Sequence, residues 1–180
     1  MKLTLVRHTA VDVPKGICYG KTDVPLASTF LDEMETIRQR IGSSTFDCVI
    51  SSPLARCTQL AERIAPGHRV AIDHRLCELD FGDWEMTNWD SIFVSQEGKA
   101  WFADYVNTRC LNGESFADQI ARTRSFLMAI RMSRYKNVLL LTHAGSIRAM
   151  ICLLQDKTPQ EAFSMPLTYG QILTFSLDNK

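Results

Sequence analysis

Leu3-Thr4-Leu5-Val6 runs directly into Arg7-His8-Thr9, and Val138-Leu139-Leu140-Leu141 runs directly into Thr142-His143-Ala144-Gly145. Each run is short and mostly apolar, the pattern of a strand buried on both faces, and each ends on an imidazole. In an open α/β sheet the carboxyl ends of parallel strands line the ligand crevice. Two histidines delivered there from separate strands can meet. Arg7 adjoins the first, and Gly145 and an expected helix start follow the second. Both features suit an anion, with phosphate the first candidate.

Working outward, three more strand patterns occur at 47–51, 69–73 and 171–177, beside those at 3–7 and 138–142. Helical periodicity fills most of the gaps between them. Residues 28–41 repeat near 3.6, and 53–65 open with Ser52 as the expected N-cap and Pro53 at the first helical position. The longest helix is expected at 115–134, with Ser115 and Asp118 as a capping box. Another at 145–155 shows one apolar face through Ile147, Met150, Ile151 and Leu154. Strands alternating with helices predict an α/β layer fold with a largely parallel sheet. The stretch from about 77 to 114 reads instead as loop-like and aromatic, and is expected to cover the crevice as a cap. It holds Trp84, Trp89 and Trp101, all the tryptophans of the chain.

Composition narrows the classes. The chain has 180 residues, with 20 Lys plus Arg against 20 Asp plus Glu, so bulk charge gives no reason to expect a nucleic-acid partner. No apolar run approaches the ~20 residues a membrane helix needs, so no membrane partner is expected. The sequence enters a strand almost at once, with no signal-peptide pattern, and a cytoplasmic location is expected. Six cysteines are spread without a C-x-x-C pair, which reads as reduced, buried thiols rather than a zinc knuckle or disulfide framework. The four histidines form neither H-x-H nor H-E-x-x-H, so no metal site is expected.

The candidate site residues follow from chemistry. A neutral imidazole is a good nucleophile toward phosphorus, and Arg7 offers bidentate recognition of phosphate oxygens while disfavouring protonation of His8. Arg56, in Ser51-Ser52-Pro53-Leu54-Ala55-Arg56, falls in the first turn of a helix at the carboxyl edge of the sheet, where a helix N-terminus already favours anions. A solvated arginine is an equally good reading of that position alone. Arg148, deeper in the helix after His143, reads as one member of a surface ion pair. The loop Cys77-Glu78-Leu79-Asp80-Phe81-Gly82-Asp83-Trp84-Glu85 crowds four carboxylates beside aromatics, a setting for a general acid. Sequence does not choose among Glu78, Asp80, Asp83 and Glu85. Two look-alikes are set aside. Gly16-Ile-Cys-Tyr-Gly20-Lys21-Thr22 is one residue short of a P-loop and leads into Asp23-Val24-Pro25, not a helix. Cys57-Thr-Gln-Leu-Ala-Glu-Arg63 has the spacing of a thiol phosphatase, but it reads as helix and has no glycine to open an amide cradle.

Together Arg7-His8-Thr9, Ser51 to Arg56, Glu78 within Glu-Leu-Asp-Phe-Gly-Asp-Trp-Glu, and Thr142-His143-Ala144-Gly145 resemble the signature set of the histidine phosphatase superfamily, in order and across nearly the whole chain. The segments 16–26 and Gly113-Glu114-Ser115-Phe116 are similar to its α-ribazole phosphatase branch. The resemblance implies a phosphoglycerate mutase-like three-layer sandwich, a mostly parallel central sheet between helices, with residues 1–180 as one domain. It implies His8 as a nucleophile that becomes phosphohistidine. Arg7, Arg56 and His143 would bind phosphoryl oxygens, and Glu78 would be the proton donor, with no metal or other cofactor. Thr22 and Trp84 are added as substrate contacts, Trp84 for stacking on a benzimidazole. The implied substrate is a small phosphomonoester, first α-ribazole 5′-phosphate of cobalamin assembly. Sugar phosphates or phosphoserine come next. A mutase or a non-catalytic phosphate-binding module is a weaker reading. Met86 departs from the family, which commonly has glycine after Trp-Glu.

Overall fold

The computed structural model describes residues 1–177. Five strands, β1 (Lys2–Arg7), β2 (Cys48–Ser51), β3 (Val70–Ile72), β4 (Asn137–Thr142) and β5 (Ile172–Ser176), form one sheet in the order β3-β2-β4-β1-β5. The first four are parallel, and β5 closes the β1 edge antiparallel. The fold is α/β.

Strand alternation explains the layers. On β4, Val138 and Leu140 join Leu3 and Leu5 of β1 against α5 (Phe116–Arg131) and α6 (Ala144–Gln155), through Phe126, Ile130, Ile147 and Met150. Leu139 and Leu141 face the other way, joining Val6 and Val49 against α1 (Phe30–Ile41) and α2 (Ala55–Ile64). These four β4 side chains are fully buried, so a near-continuous apolar run is what both faces of the strand require. Truncating any of these leucines to alanine costs roughly 2–5 kcal/mol.

Two expectations change. Helix α2 begins at Ala55, not 53. The Ser52 hydroxyl lies 2.8 Å from His143 Nε2 and only 3.4 Å from Leu54 N, so it serves the histidine. Asp23 Oδ1 accepts from Ala55 N at 2.7 Å instead. The cap stretch is not loop throughout. It contains α3 (Trp89–Val94) and α4 (Gln96–Ala103), capped by the side chains of Asn88 and Ser95. Helices of 6 and 8 residues are shorter than the window in which periodicity can be read. A third short helix, α7 (Pro159–Ser164), carries a Thr158–Glu161 capping box. Among the described residues no helix is long and apolar enough to cross a membrane.

The cap has its own core of Cys18, Leu79, Trp84, Ile92, Trp101 and Cys110. Beside it Met86 adopts φ 63°, and its side chain is half exposed and outside the cleft described below. A β-carbon in that left-handed region costs about 1 kcal/mol, so the departure from glycine noted above is a backbone matter. Met86→Gly is expected to raise stability by roughly 0.5–1 kcal/mol, read from urea midpoints. A lower midpoint would show that the side chain's packing matters more than the strain.

Candidate active site

The register of two strands builds the centre. β1 and β4 pair with Arg7 opposite Thr142, and His8 N donates to Thr142 O at 3.1 Å. The next residue of each strand is therefore a histidine at the same height, and the two rings lie 5.1 Å apart between centroids. Both are buried.

Hydrogen bonds fix the tautomers. His8 Nδ1 is 2.7 Å from Thr9 O, and a carbonyl only accepts, so Nδ1 carries the proton. That leaves the Nε2 lone pair as the reactive one. Burial, then the Arg56 charge, then Arg7, pull the pKa of His8 down to about 3 against the opposing Thr9 bond. The ring is neutral at any working pH, and desolvation contributes more to this than the adjacent arginine. For His143, Arg56 Nε donates to Nδ1 at 3.3 Å, which places the proton on Nε2, toward Ser52 Oγ. Burial, His8 and Arg56 hold it well below the usual histidine range.

The arginines are preorganised by main-chain carbonyls. Arg56 is fully buried and donates to Thr22 O at 2.9 Å and to Gly20 O. Of its five N–H groups two remain uncommitted. Arg7 donates to Leu167 O, its guanidinium lies 4.1 Å over the Tyr169 ring, and its buried Nε has no partner among the described residues.

The four carboxylates of the 78–85 loop separate by environment. Glu85 accepts from the amides of Gly20, Lys21, Thr22 and Phe81 at 2.9–3.1 Å. Burial raises its pKa, but these bonds outweigh burial and the net shift is downward. The P-loop-like segment thus does make an amide cradle, filled by the protein's own carboxylate. Asp80 pairs with Lys21 at 3.0 Å, and Asp83 accepts from Asn112 at 2.7 Å. Glu78 alone of the four lines the cleft that holds His8. Its Oε1 accepts from Leu79 N, Gln119 Nε2 and Gly145 N, whereas Oε2 accepts from Gly145 N alone.

That cleft, of about 220 Å³, runs from Arg7, His8, Glu78 and Gly145 onto an aromatic wall of Phe81, Trp89, Trp101, Tyr105 and Phe163. Cys57 is fully buried with Sγ 3.5 Å from His143 Nε2, and burial pushes its thiol up, away from a thiolate. It packs behind the imidazole.

The family model for the histidine phosphatase superfamily (branch 1) matches residues 3–180. The chain belongs to the histidine phosphatase superfamily. Among curated relatives of this histidine phosphatase, the adenosylcobalamin/alpha-ribazole phosphatase of Salmonella typhimurium is 29% identical over 161 residues, spanning 86% of this chain and 79% of that one. Phosphoserine phosphatase 1 of Hydrogenobacter thermophilus is 26% identical over 160 residues, spanning 86% and 76%. The solved alpha-ribazole phosphatase of Shigella flexneri superposes with a TM-score of 0.91 at 23% identity, covering 99% of this chain and 91% of that one.

The fold of this histidine phosphatase brings Arg7, His8 and Glu78 to one cleft, with His143 and Arg56 fully buried beside His8 and hydrogen-bonded to each other. Thr22 contributes its carbonyl to Arg56 and does not line the cleft. Trp84 does not line it either. It is 6% exposed in the cap core, and Trp89 and Trp101 form the wall instead. Arg148 makes no surface ion pair. It is half-buried in the cleft with its guanidinium 4.9 Å from the Phe163 ring centre, and among the described residues no carboxylate pairs with it. Sequence reading also missed Gln119, although a fully buried glutamine between Phe116 and Thr123 on the buried stripe of α5 is a readable signal.

Two outcomes follow. A β-carbon on Gly145 would come 2.3 Å from Glu78 Oε1 and 2.8 Å from Gln119 Oε1, both ends of movable side chains. Gly145→Ala is therefore expected to fold but to lose about 10²-fold in kcat on alkyl phosphates through misplacement of Glu78. Unchanged kcat would show that the Gly145 contact does not set Glu78. The lowered pKa of His8 means that the unfolded chain takes the proton first. Stability is full above about pH 6.5 and falls as pH drops toward about 3. His8→Gln should flatten that fall, read as urea midpoints against pH, and an equally steep profile would deny the buried neutral state.

Proposed function

We propose that this protein hydrolyses phosphomonoesters through a phosphohistidine on His8. The observation that carries the reading is the free Nε2 lone pair of a neutral, buried His8 in the same cleft as Glu78. Nε2 attacks phosphorus, and the P–O bond to the leaving alcohol breaks. Glu78 acts as the general acid and passes a proton from Oε2 to the departing oxygen. The resulting carboxylate then takes a proton from water as that water attacks phosphorus. The P–N bond returns its electron pair to Nε2, and inorganic phosphate leaves. Arg7 Nε and the uncommitted N–H groups of Arg56 clamp the phosphoryl oxygens, while His143, its own proton committed to Ser52 Oγ, holds Arg56 Nε through Nδ1. Two fixed guanidinium groups supply the charge a metal would otherwise bring, so no metal is required.

The substrate we favour is α-ribazole 5′-phosphate. The aromatic wall suits its flat base, and the relatives named alpha-ribazole phosphatases support it. A second reading, a carboxylate-bearing ester such as phosphoserine, is favoured by Arg148, a cleft cation without an acidic partner among the described residues. Six unpaired cysteines support a reducing, cytoplasmic setting.

Wild-type protein should cleave p-nitrophenyl phosphate equally with and without EDTA, and kcat/KM for α-ribazole 5′-phosphate should exceed that for phosphoserine. The reverse order would select the second reading. His8→Ala should fold and lose at least about 10³-fold in turnover. An acid-labile phosphoryl label trapped on wild type should map to His8, and a label on Cys57 or a serine would sink the mechanism. Glu78→Gln should slow alkyl phosphates by about 10²–10⁴-fold and p-nitrophenyl phosphate far less, because nitrophenolate leaves without a proton.

A further inference from the structure

Seven buried side-chain polar atoms have no hydrogen-bond partner among the described residues, and four of them belong to residues of the cleft: Arg7 Nε, Trp101 Nε1, Gln119 Oε1 and Arg148 Nε. Three are donors. Gln119 Oε1 is the one acceptor. Such groups are costly to bury alone, and they cluster where a bound molecule can complete them.

The orientation of Gln119 follows from its neighbours. Ser146 Oγ donates to Cys77 O at 2.6 Å, so toward Gln119, 3.3 Å away, it acts as an acceptor. The Glu78 carboxylate, 3.2 Å away, also accepts. Both contacts require the amide nitrogen, which sends the carbonyl oxygen to the remaining side. The residue is fully buried on α5, and its amide oxygen and nitrogen would lie 2.8 and 2.9 Å from a β-carbon on Gly145, the residue that also binds Glu78. Its free oxygen is therefore one amide width from the carboxyl that serves the leaving oxygen.

We propose that Gln119 determines specificity with its two ends. Nε2 positions Glu78, and Oε1 accepts a hydrogen bond from an O–H or N–H group on the leaving alcohol. This rests on the phosphatase reading of the same cleft. It makes the preferred leaving group a polyol or amino alcohol rather than a plain alkyl alcohol, because only the former satisfies the buried oxygen. The two donor chemistries are separated by the probes below.

The test compares kcat/KM on glycerol 1-phosphate, O-phosphoethanolamine and n-propyl phosphate, which differ mainly in the hydrogen-bond donor on the leaving alcohol. Wild type should prefer at least one donor-bearing ester over propyl phosphate by about tenfold, and whichever is preferred identifies O–H or N–H. Gln119→Met keeps the shape and removes both ends. It should slow all three esters through Glu78 and bring the preference ratio close to one. Gln119→Glu keeps an acceptor and removes the donor, so it should lose rate yet retain the ratio. A wild-type ratio near one, a ratio that survives in folded Gln119→Met, or a ratio lost in Gln119→Glu each overturns the proposal while leaving the hydrolase reading intact. Wild type inactive on all three and on p-nitrophenyl phosphate overturns both.

Discussion

Everything at this site depends on the pairing of β1 with β4 in a parallel register that sets Arg7 opposite Thr142. A parallel ladder cannot slip by one residue here, because a slip would turn Leu3 and Leu5, or Val138 and Leu140, out of their core and into the opposite layer. Core packing on two faces therefore enforces the height at which each strand ends. The two imidazoles are neighbours because leucines several residues earlier leave them no alternative. Catalytic precision is here a by-product of hydrophobic burial, at a place where neither histidine needs the other for its own fold.

The second constraint is charge. Two arginines beside two buried histidines would be unfavourable if all four were cationic, and desolvation resolves the conflict by keeping both rings neutral. The arginines stay charged and are held by carbonyls of Gly20, Thr22 and Leu167, which share their charge without cancelling it as carboxylates would. The site is thus a preformed electropositive hollow around a neutral imidazole, organised before any anion arrives.

Much of this was legible in the amino-acid sequence. The strand-tip histidines, the alternating elements and the Ser115 capping box are local patterns with local causes, and the structure carries them almost residue for residue. What escaped was set by contacts between distant segments. Ser52 looked like a helix cap and is a histidine ligand, because His143, 91 positions away, takes its hydroxyl. Trp84 looked like a stacking surface, but its ring is needed inside the cap, and Trp89 and Trp101 face the cleft. Glu78 could not be told from Glu85 by spacing. They differ only in what the fold places around them: the amides of a loop some sixty residues earlier fill the oxygens of Glu85. Arg148 looked like half of a surface ion pair for a similar reason, since nothing nearby in sequence announces Phe163.

The loop at 20–22 has a consequence for how the cap and the phosphate site communicate. The peptide unit joining Gly20 to Lys21 is gripped at its oxygen by Arg56 and at its N–H by Glu85. Its dipole is therefore aligned between a cation and an anion that never touch. Glu85 acts as the remote counter-ion of Arg56, coupled to it through a single polarised amide. The charge of Arg56 is thus answered at a distance, by a carboxylate outside the cleft.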